Sequence, residues 1–285
     1  MSFLTAIFQA VGQALTWIFP VSESGHSAIF HNFSGRFTDA CSQLTGVIHI
    51  GIAIGLFAAF FKVFIALFKN FFGTWGDIFH KNLDLKNVKP SRNFMYMTIL
   101  SFVPMILYFI PVGKGENIYS LIHSVTYNIT LLDEGAFFVV TASLLILAAT
   151  YGGKIKKPLP PAAQSIIIGV AVFFALPLGG LSLTGIILCL CMLTGLSDRN
   201  SLRYSAVMSV VILLITGIIE LCTAVTDVGI AAAIIAIIIS AVSAFFSARL
   251  MSFVLKKRLL NYFGIYNAVV GLVCIVIGSF QLIVK

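Results

Sequence analysis

The chain has 285 residues, of which 59% are apolar and 10% charged, against roughly 25% charged in an average soluble domain. At a mean hydropathy of +1.05 it carries more hydrocarbon than a soluble core could hide, which excludes an ordinary water-soluble enzyme, a disordered chain and a disulfide scaffold. Its net charge of +8 does not mark a nucleic-acid groove, because the cations sit in breaks between apolar stretches, as in a polytopic membrane protein.

Apolar stretches run at 3–21, 44–61, 94–111, 136–151, 164–196, 205–222, 229–247 and 263–284, and a membrane span takes about 20 residues. The first breaks at Pro20 and continues through Ser22-Glu23-Ser24-Gly25-His26 to about residue 40. After the second, Phe64, Phe68, Phe71, Phe72, Trp75 and Phe79 alternate with Lys62, Lys69 and Asp77; this pattern predicts an amphipathic helix on the membrane surface. The fifth is long, and Pro177 and Gly179-Gly180 break its middle.

Fifteen of the 18 Lys and Arg lie in the four breaks 62–93, 152–163, 197–204 and 248–262. The breaks 112–135 and 223–228 lean acidic, with Glu116, Asp133, Glu134 and Asp227. The four basic breaks are therefore expected in the cytoplasm and the two acidic ones outside. Breaks 152–163 and 197–204 then share a side, so 164–196 must enter and return as a re-entrant helical hairpin. Residues 3–40 read the same way, entering from outside.

The predicted fold is an all-α polytopic membrane protein of two inverted repeats, each a re-entrant hairpin plus three transmembrane helices. The first repeat covers 1–152 and the second 153–285, in one integral membrane domain. Both hairpin breaks read Ser-x-Ser/Thr-Gly: Ser22-Glu23-Ser24-Gly25 and Ser182-Leu183-Thr184-Gly185. Inverted repeats with broken helices put a site near the midplane.

Cys189, Cys191, Cys222 and Cys274 lie in apolar stretches and Cys41 is alone at a break; neither a disulfide nor a thiolate metal site is expected. Met1–Leu4 carry no basic residue, so no cleaved signal peptide is expected.

Ionisable groups inside spans are costly. Here they are Glu23, His26, His49 and Glu220. Glu220 is expected to reach the outer interface. Gln13, Ser22, Glu23, Ser24, His26 and His49 form a polar cluster at the first break. Two readings stand: a functional site, or side chains that satisfy the backbone groups freed by a broken helix. Gly25 and Gly179-Gly180 could turn backbone N–H groups toward an anion.

The segment Gln13-Ala14-Leu15-Thr16-Trp17-Ile18-Phe19-Pro20-Val21-Ser22-Glu23-Ser24-Gly25-His26 resembles the undecaprenyl-diphosphate phosphatase (bacitracin-resistance) family signature, E-G-x-T-E-F-x-P-V-S-S-T-G-H, without a gap. Val47-Ile48-His49-Ile50-Gly51 resembles its V-I-Q-x-G, Gly180–Gly185 its G-x-S-R-S-G, and Phe263–Asn267 its F-x-x-Y-R. The resemblance spans the chain and implies the same two-hairpin fold. It implies removal of the terminal phosphate of undecaprenyl diphosphate in lipid-carrier recycling for cell-wall synthesis, in a bacterial plasma membrane.

By resemblance His26, Glu23 and Ser22 would be catalytic. Gln13, Ser24, Gly25, His49, Ser182, Thr184 and Gly185 would bind substrate, and Glu23 and Gln13 would hold a divalent cation (Mg or Ca). The partners implied are a polyprenyl phosphate or diphosphate, the bilayer and, in a homodimer, a second copy; nucleic acid is not among them.

The departures fall on the charged positions. The family's two glutamates are Gln13 and Trp17, its second serine is Glu23, and its arginines are Leu183 and Asn267. An arginine pairs a phosphate bidentately, and leucine offers nothing in its place. Enzyme status therefore stays open between a phosphatase, with His26 carrying most of the chemistry, and a non-catalytic protein of the same fold that binds or moves a polyprenyl phosphate or other lipid.

Overall fold

The computed structural model describes residues 3–34, 42–82, 84, 87–113, 115–126, 130–155, 158–224 and 228–284. Met1, Cys41 and Asp227, named above, lie outside that set, as do Lys86, Lys156 and Lys157 of the basic breaks.

The first hairpin is α1 (Phe3–Ile18) and α2 (Glu23–Ser34). Proline at position 20 cannot continue a helix, and Ser22, at φ +64°, reverses the chain. Next come α3 (Ser42–Ala59) and α4 (Phe61–Phe79). α4 turns 87° from α3 and leaves Phe61, Phe68, Phe72, Trp75 and Phe79 exposed, as the aromatic–basic pattern predicts.

The stretch expected as one span at 94–111 is two pieces: α5 (Pro90–Phe102) and a 3-10 turn over Val103–Phe109. Pro104 removes a helical N–H there, and the chain tightens. A short antiparallel ribbon follows, β1 (Pro111–Gly113) with β2 (Glu116–Asn117), then α6 (Ile118–Thr126). The all-helical reading did not anticipate this ribbon; its turn glycines, Gly113 and Gly115, have positive φ.

α7 (Leu132–Tyr151) leads to the second hairpin, α8 (Pro161–Ala175) and α9 (Leu183–Leu193), and the chain ends with α10 (Asp198–Thr223), α11 (Ile230–Lys256) and α12 (Leu260–Val284). Among the described residues α7, α10, α11 and α12 are long and apolar enough to cross a membrane, and the bent pair α3–α4 counts as a fifth candidate. Large apolar side chains such as Phe8, Phe30, Ile230, Phe246 and Phe280 point outward, where lipid rather than water would meet them. This is a helical, polytopic membrane protein.

Apolar burial drives no helix association in hydrocarbon, so close backbone packing through small residues matters instead. On α1, Ala6, Ala10 and Ala14 recur every fourth position and are fully buried where α1 packs on α11. α3 lies so close to α11 that a Cβ on Gly51 would stand 1.9 Å from Ser240 Oγ. α3 crosses α10 at Gly46 and Gly217, and α7 crosses α12 at Gly135 and Gly271; in both pairs a Cβ would sit about 3 Å or less from the partner glycine's carbonyl.

Candidate functional site

The two hairpin turns meet, as the shared Ser-x-Ser/Thr-Gly pattern predicts. Ser22 and Ser182 each cap their own helix, Ser22 Oγ accepting the Gly25 N–H at 3.1 Å and Ser182 Oγ the Gly185 N–H at 3.3 Å. Such caps satisfy N–H groups that a helix start leaves unpaired. The third residue of each motif crosses to the other hairpin. Ser24 Oγ accepts the Gly180 N–H at 3.0 Å, and Thr184 Oγ1 donates to the Trp17 carbonyl at 2.6 Å. The glycine is steric: a Cβ on Gly25 would stand 2.7 Å from the Phe138 ring, and one on Gly185 would stand 2.9 Å from Pro20 Cβ. Gly180 itself has φ +92°, a conformation that favours glycine.

Beside this junction lies a cavity of about 140 Å³, lined by Glu23, Ser24, His49, Ser182, Thr184 and Glu220 together with Thr16, Trp17, Leu183, Thr216 and Tyr119, among others. It is room for a few water-sized groups at about 30 Å³ each, enough for a headgroup but not a lipid chain. His49 is 5% exposed, and its Nδ1 lies 2.8 Å from Glu220 Oε2. The contact is an ion pair: Nδ1 also lies 3.5 Å from Thr216 Oγ1, and Glu220 Oε2 has no hydrogen-bond partner among the described residues. Nε2, on the other side of the ring, is buried and has no hydrogen-bond partner among the described residues, as is Trp17 Nε1. Trp17 packs edge-on against His49 with centroids 5.3 Å apart. The pairing is steric in origin: a Cβ on Gly46 would meet Glu220 Cβ at 3.1 Å, and one on Gly217 would meet His49 Cβ at 3.2 Å. Each glycine clears space for the ionisable side chain of the facing helix. Glu220, 28% exposed, pairs with His49, a partner the sequence reading did not give it.

Of the other expected site residues, Gln13, Ser22, Gly25, His26 and Gly185 do not line this cavity. Ser22 is 1% exposed with its hydroxyl committed to the cap. His26 has both ring nitrogens engaged: Nδ1 donates to the Ser22 carbonyl at 2.8 Å, and Nε2 is bonded to the Tyr266 hydroxyl at 2.6 Å. Its ring stacks on Tyr266. It lines a separate groove of about 320 Å³ with Leu15, Phe19, Val21, Tyr262 and Phe263. Thr16 borders both spaces, so the small cavity and the apolar groove share one wall.

Asn267, at the position of a family arginine, is fully buried and ties α12 to the first turn through the Pro20 carbonyl at 2.9 Å. Leu183, at the other arginine position, lines the cavity, and among the described residues neither Lys nor Arg does. Glu23 and Gln13, expected to hold a divalent cation together, do not both line the cavity. Gln13 lies off the cavity that Glu23 lines, and no three His, Cys, Asp or Glu side chains group to hold a metal among the described residues.

Glu220, Thr216 and Tyr119 are cavity residues that the sequence reading did not place there. A legible signal existed for the first. Gly46-x-x-His49 and Gly217-x-x-Glu220 share one spacing, and a small residue three positions from an ionisable one marks a close helix crossing.

The chain is similar over nearly its whole length to proteins named undecaprenyl-diphosphatase. One from Methanosphaera stadtmanae is 24% identical over 98% of this chain and 99% of its own. One from Halothermothrix orenii is 25% identical over the same shares, 98% and 99%. A third, from Erythrobacter litoralis, is 24% identical over 74% of this chain and 75% of its own. The model of the family described as bacitracin resistance protein BacA matches residues 6–273, and the chain belongs to that family.

Proposed function

We propose that this protein is an undecaprenyl-diphosphate phosphatase of the plasma membrane, releasing the terminal phosphate of a polyprenyl diphosphate to leave the monophosphate. The observation that carries the reading is the pairing of spaces on either side of Thr16: a small cavity with ionisable lining beside an apolar groove that would take the first prenyl units. Family membership and relatives of that name support it. On this reading the cavity holds the phosphates and His49 is the working imidazole. Glu220 fixes the proton on Nδ1 and leaves Nε2 to act as nucleophile or base, the division of labour of carboxylate–imidazole pairs. Ser24, Ser182 and Thr184 would position the headgroup, while Ser22, Gly25 and Gly185 build the turns.

The fold is proposed to be two inverted repeats, over 1–152 and 153–285, with the basic breaks cytoplasmic. The helix pairing supports this. α3 packs on its repeat counterpart α10 and α7 on its counterpart α12, while α1 on α11 is matched by α8 on α5.

One feature favours a second reading, a non-catalytic protein that binds or moves a polyprenyl phosphate. Among the described residues two carboxylates and no Lys or Arg line the cavity, and losing one buried charge-assisted contact to a phosphate costs about 2–5 kcal/mol. Phosphate release and lipid binding measured on one purified sample with C55 diphosphate separate the two. Release above a lipid-only blank supports the phosphatase; binding without release replaces it with the second reading.

A further inference from the structure

We propose a second site, at the basic end of the molecule, that binds the phosphate of an anionic lipid. A cavity of about 440 Å³ there is lined by Lys62, Val63, Ala66 and Leu67 of α4, Pro90, Ser91 and Phe94 of α5, and Asn200 and Arg203 of α10. This volume falls in the range of ligand pockets.

Its composition is the reverse of the central cavity's. Among the described residues two cations line it and no carboxylate does. Neither Lys62 nor Arg203 is ion-paired among the described residues, whereas nearby Arg92 is neutralised by Asp77 at 2.5 Å. Arg203 is steadied instead by Asn200 Oδ1, to which its Nη1 donates at 3.3 Å. Polar groups sit beside an apolar wall of Val63, Ala66, Leu67 and Phe94, the arrangement an interfacial lipid needs, with its headgroup on one side and its first methylenes on the other.

The walls are fixed in advance. α4 is held to α5 by Thr74 Oγ1 with the Tyr96 hydroxyl at 3.3 Å and by the Asp77–Arg92 pair. α5 is held to α10 by Tyr204, fully buried, whose hydroxyl donates to the Met97 carbonyl at 2.8 Å and meets Ser101 Oγ at 2.7 Å. The Tyr204 ring packs edge-on against Phe94, so the pocket floor rests on a buried stitch. Pre-formed walls reduce the ordering cost of binding.

The test uses the full-length protein in detergent, with bound lipid counted by native mass spectrometry and Tm followed on addition of phosphatidylglycerol, phosphatidylcholine, C55 monophosphate or inorganic phosphate. Wild type is expected to retain and be stabilised by phosphatidylglycerol but not by phosphatidylcholine. Lys62→Gln with Arg203→Gln should lower apparent affinity roughly 30-fold, about fivefold for each cation lost. Lys69→Gln with Lys256→Gln, elsewhere on the basic end, should keep it.

An unchanged melting temperature of the Lys62/Arg203 variant in phosphatidylcholine shows that it still folds; if it does not, Arg203→Lys, which keeps the charge, must retain binding while Arg203→Gln loses it. A response to C55 monophosphate alone would assign the site to the prenyl lipid, and an equal response to both lipids to lipid phosphate in general. Stabilisation by inorganic phosphate alone, equal stabilisation by phosphatidylcholine, or undiminished phosphatidylglycerol binding in the double variant would each overturn the proposal.

Discussion

His49 Nδ1 lies 2.8 Å from Glu220 Oε2, joining α3 to α10 at the cavity that Glu23 also lines. A buried charge left alone costs more than a pair removed together. Glu220 is 28% exposed, so water screens the pair in part and the full buried cost does not apply. His49→Gln and Glu220→Gln are each expected to cost about 1–2 kcal/mol, and the double variant less than their sum. A double-mutant cycle by thermal unfolding in detergent measures the coupling, and strict additivity would mean that the two side chains do not interact.

The same helices touch through Gly46 and Gly217. A Cβ at Gly46 would stand 2.8 Å from the Gly217 carbonyl oxygen, which is backbone and cannot move aside. Gly46→Ala should therefore destabilise by about 1–3 kcal/mol, as overpacking does, and should also part His49 from Glu220. Gly12→Ala is the control, because nothing lies within 4 Å of its added Cβ. Equal melting temperatures for the two variants would contradict this crossing.

Ser22 and Ser182 have the same task in their two turns, so Ser22→Ala and Ser182→Ala should lower stability by similar amounts, about 0.5–2 kcal/mol for a lost cap. If the hydroxyls only cap, C55 diphosphate turnover per folded molecule should change less than stability does. A collapse of turnover in a stably folded Ser22→Ala protein would give Ser22 the chemical role that the resemblance implies.

The arrangement of basic and acidic breaks sets an orientation. In a cysteine-free background, Cys at Glu116 should react with an impermeant thiol reagent from outside, and Cys at Lys81 or Lys257 only after the membrane is opened. All three positions are exposed. Reaction of position 81 from outside would invert the scheme.

The broad architecture was legible because it rests on signals that survive without tertiary context. Long apolar stretches, the charges between them, Pro20 and Pro177 mark the spans and breakers. The meeting of the two turns was legible from one repeated tetrapeptide. The contacts the motif makes were not: its hydroxyls form caps and cross to the other hairpin, and its glycines stand against Phe138 and Pro20.

The split between His26 and His49 was hidden for a related reason. Spacing of three puts Glu23 and His26 on adjoining faces of α2, yet Glu23 faces the polar cavity while Tyr266 from the far end of the chain captures His26. No local pattern announces a partner 240 residues away. The ribbon after Pro111 and the tight turn at Pro104 were missed because both are local backbone events inside an apolar run, where composition still reads as a span.

The central claim is that His49, not His26, is the imidazole that works in the cavity between the turns. Phosphate release from C55 diphosphate by wild type, His49→Gln and His26→Gln, each normalised to folded protein, tests it most directly. The account predicts that His49→Gln loses at least about 10²-fold, as removal of a general acid–base does, while His26→Gln stays within a few-fold of wild type. A His26→Gln protein that folds but loses turnover, beside a His49→Gln protein that keeps it, would contradict the account.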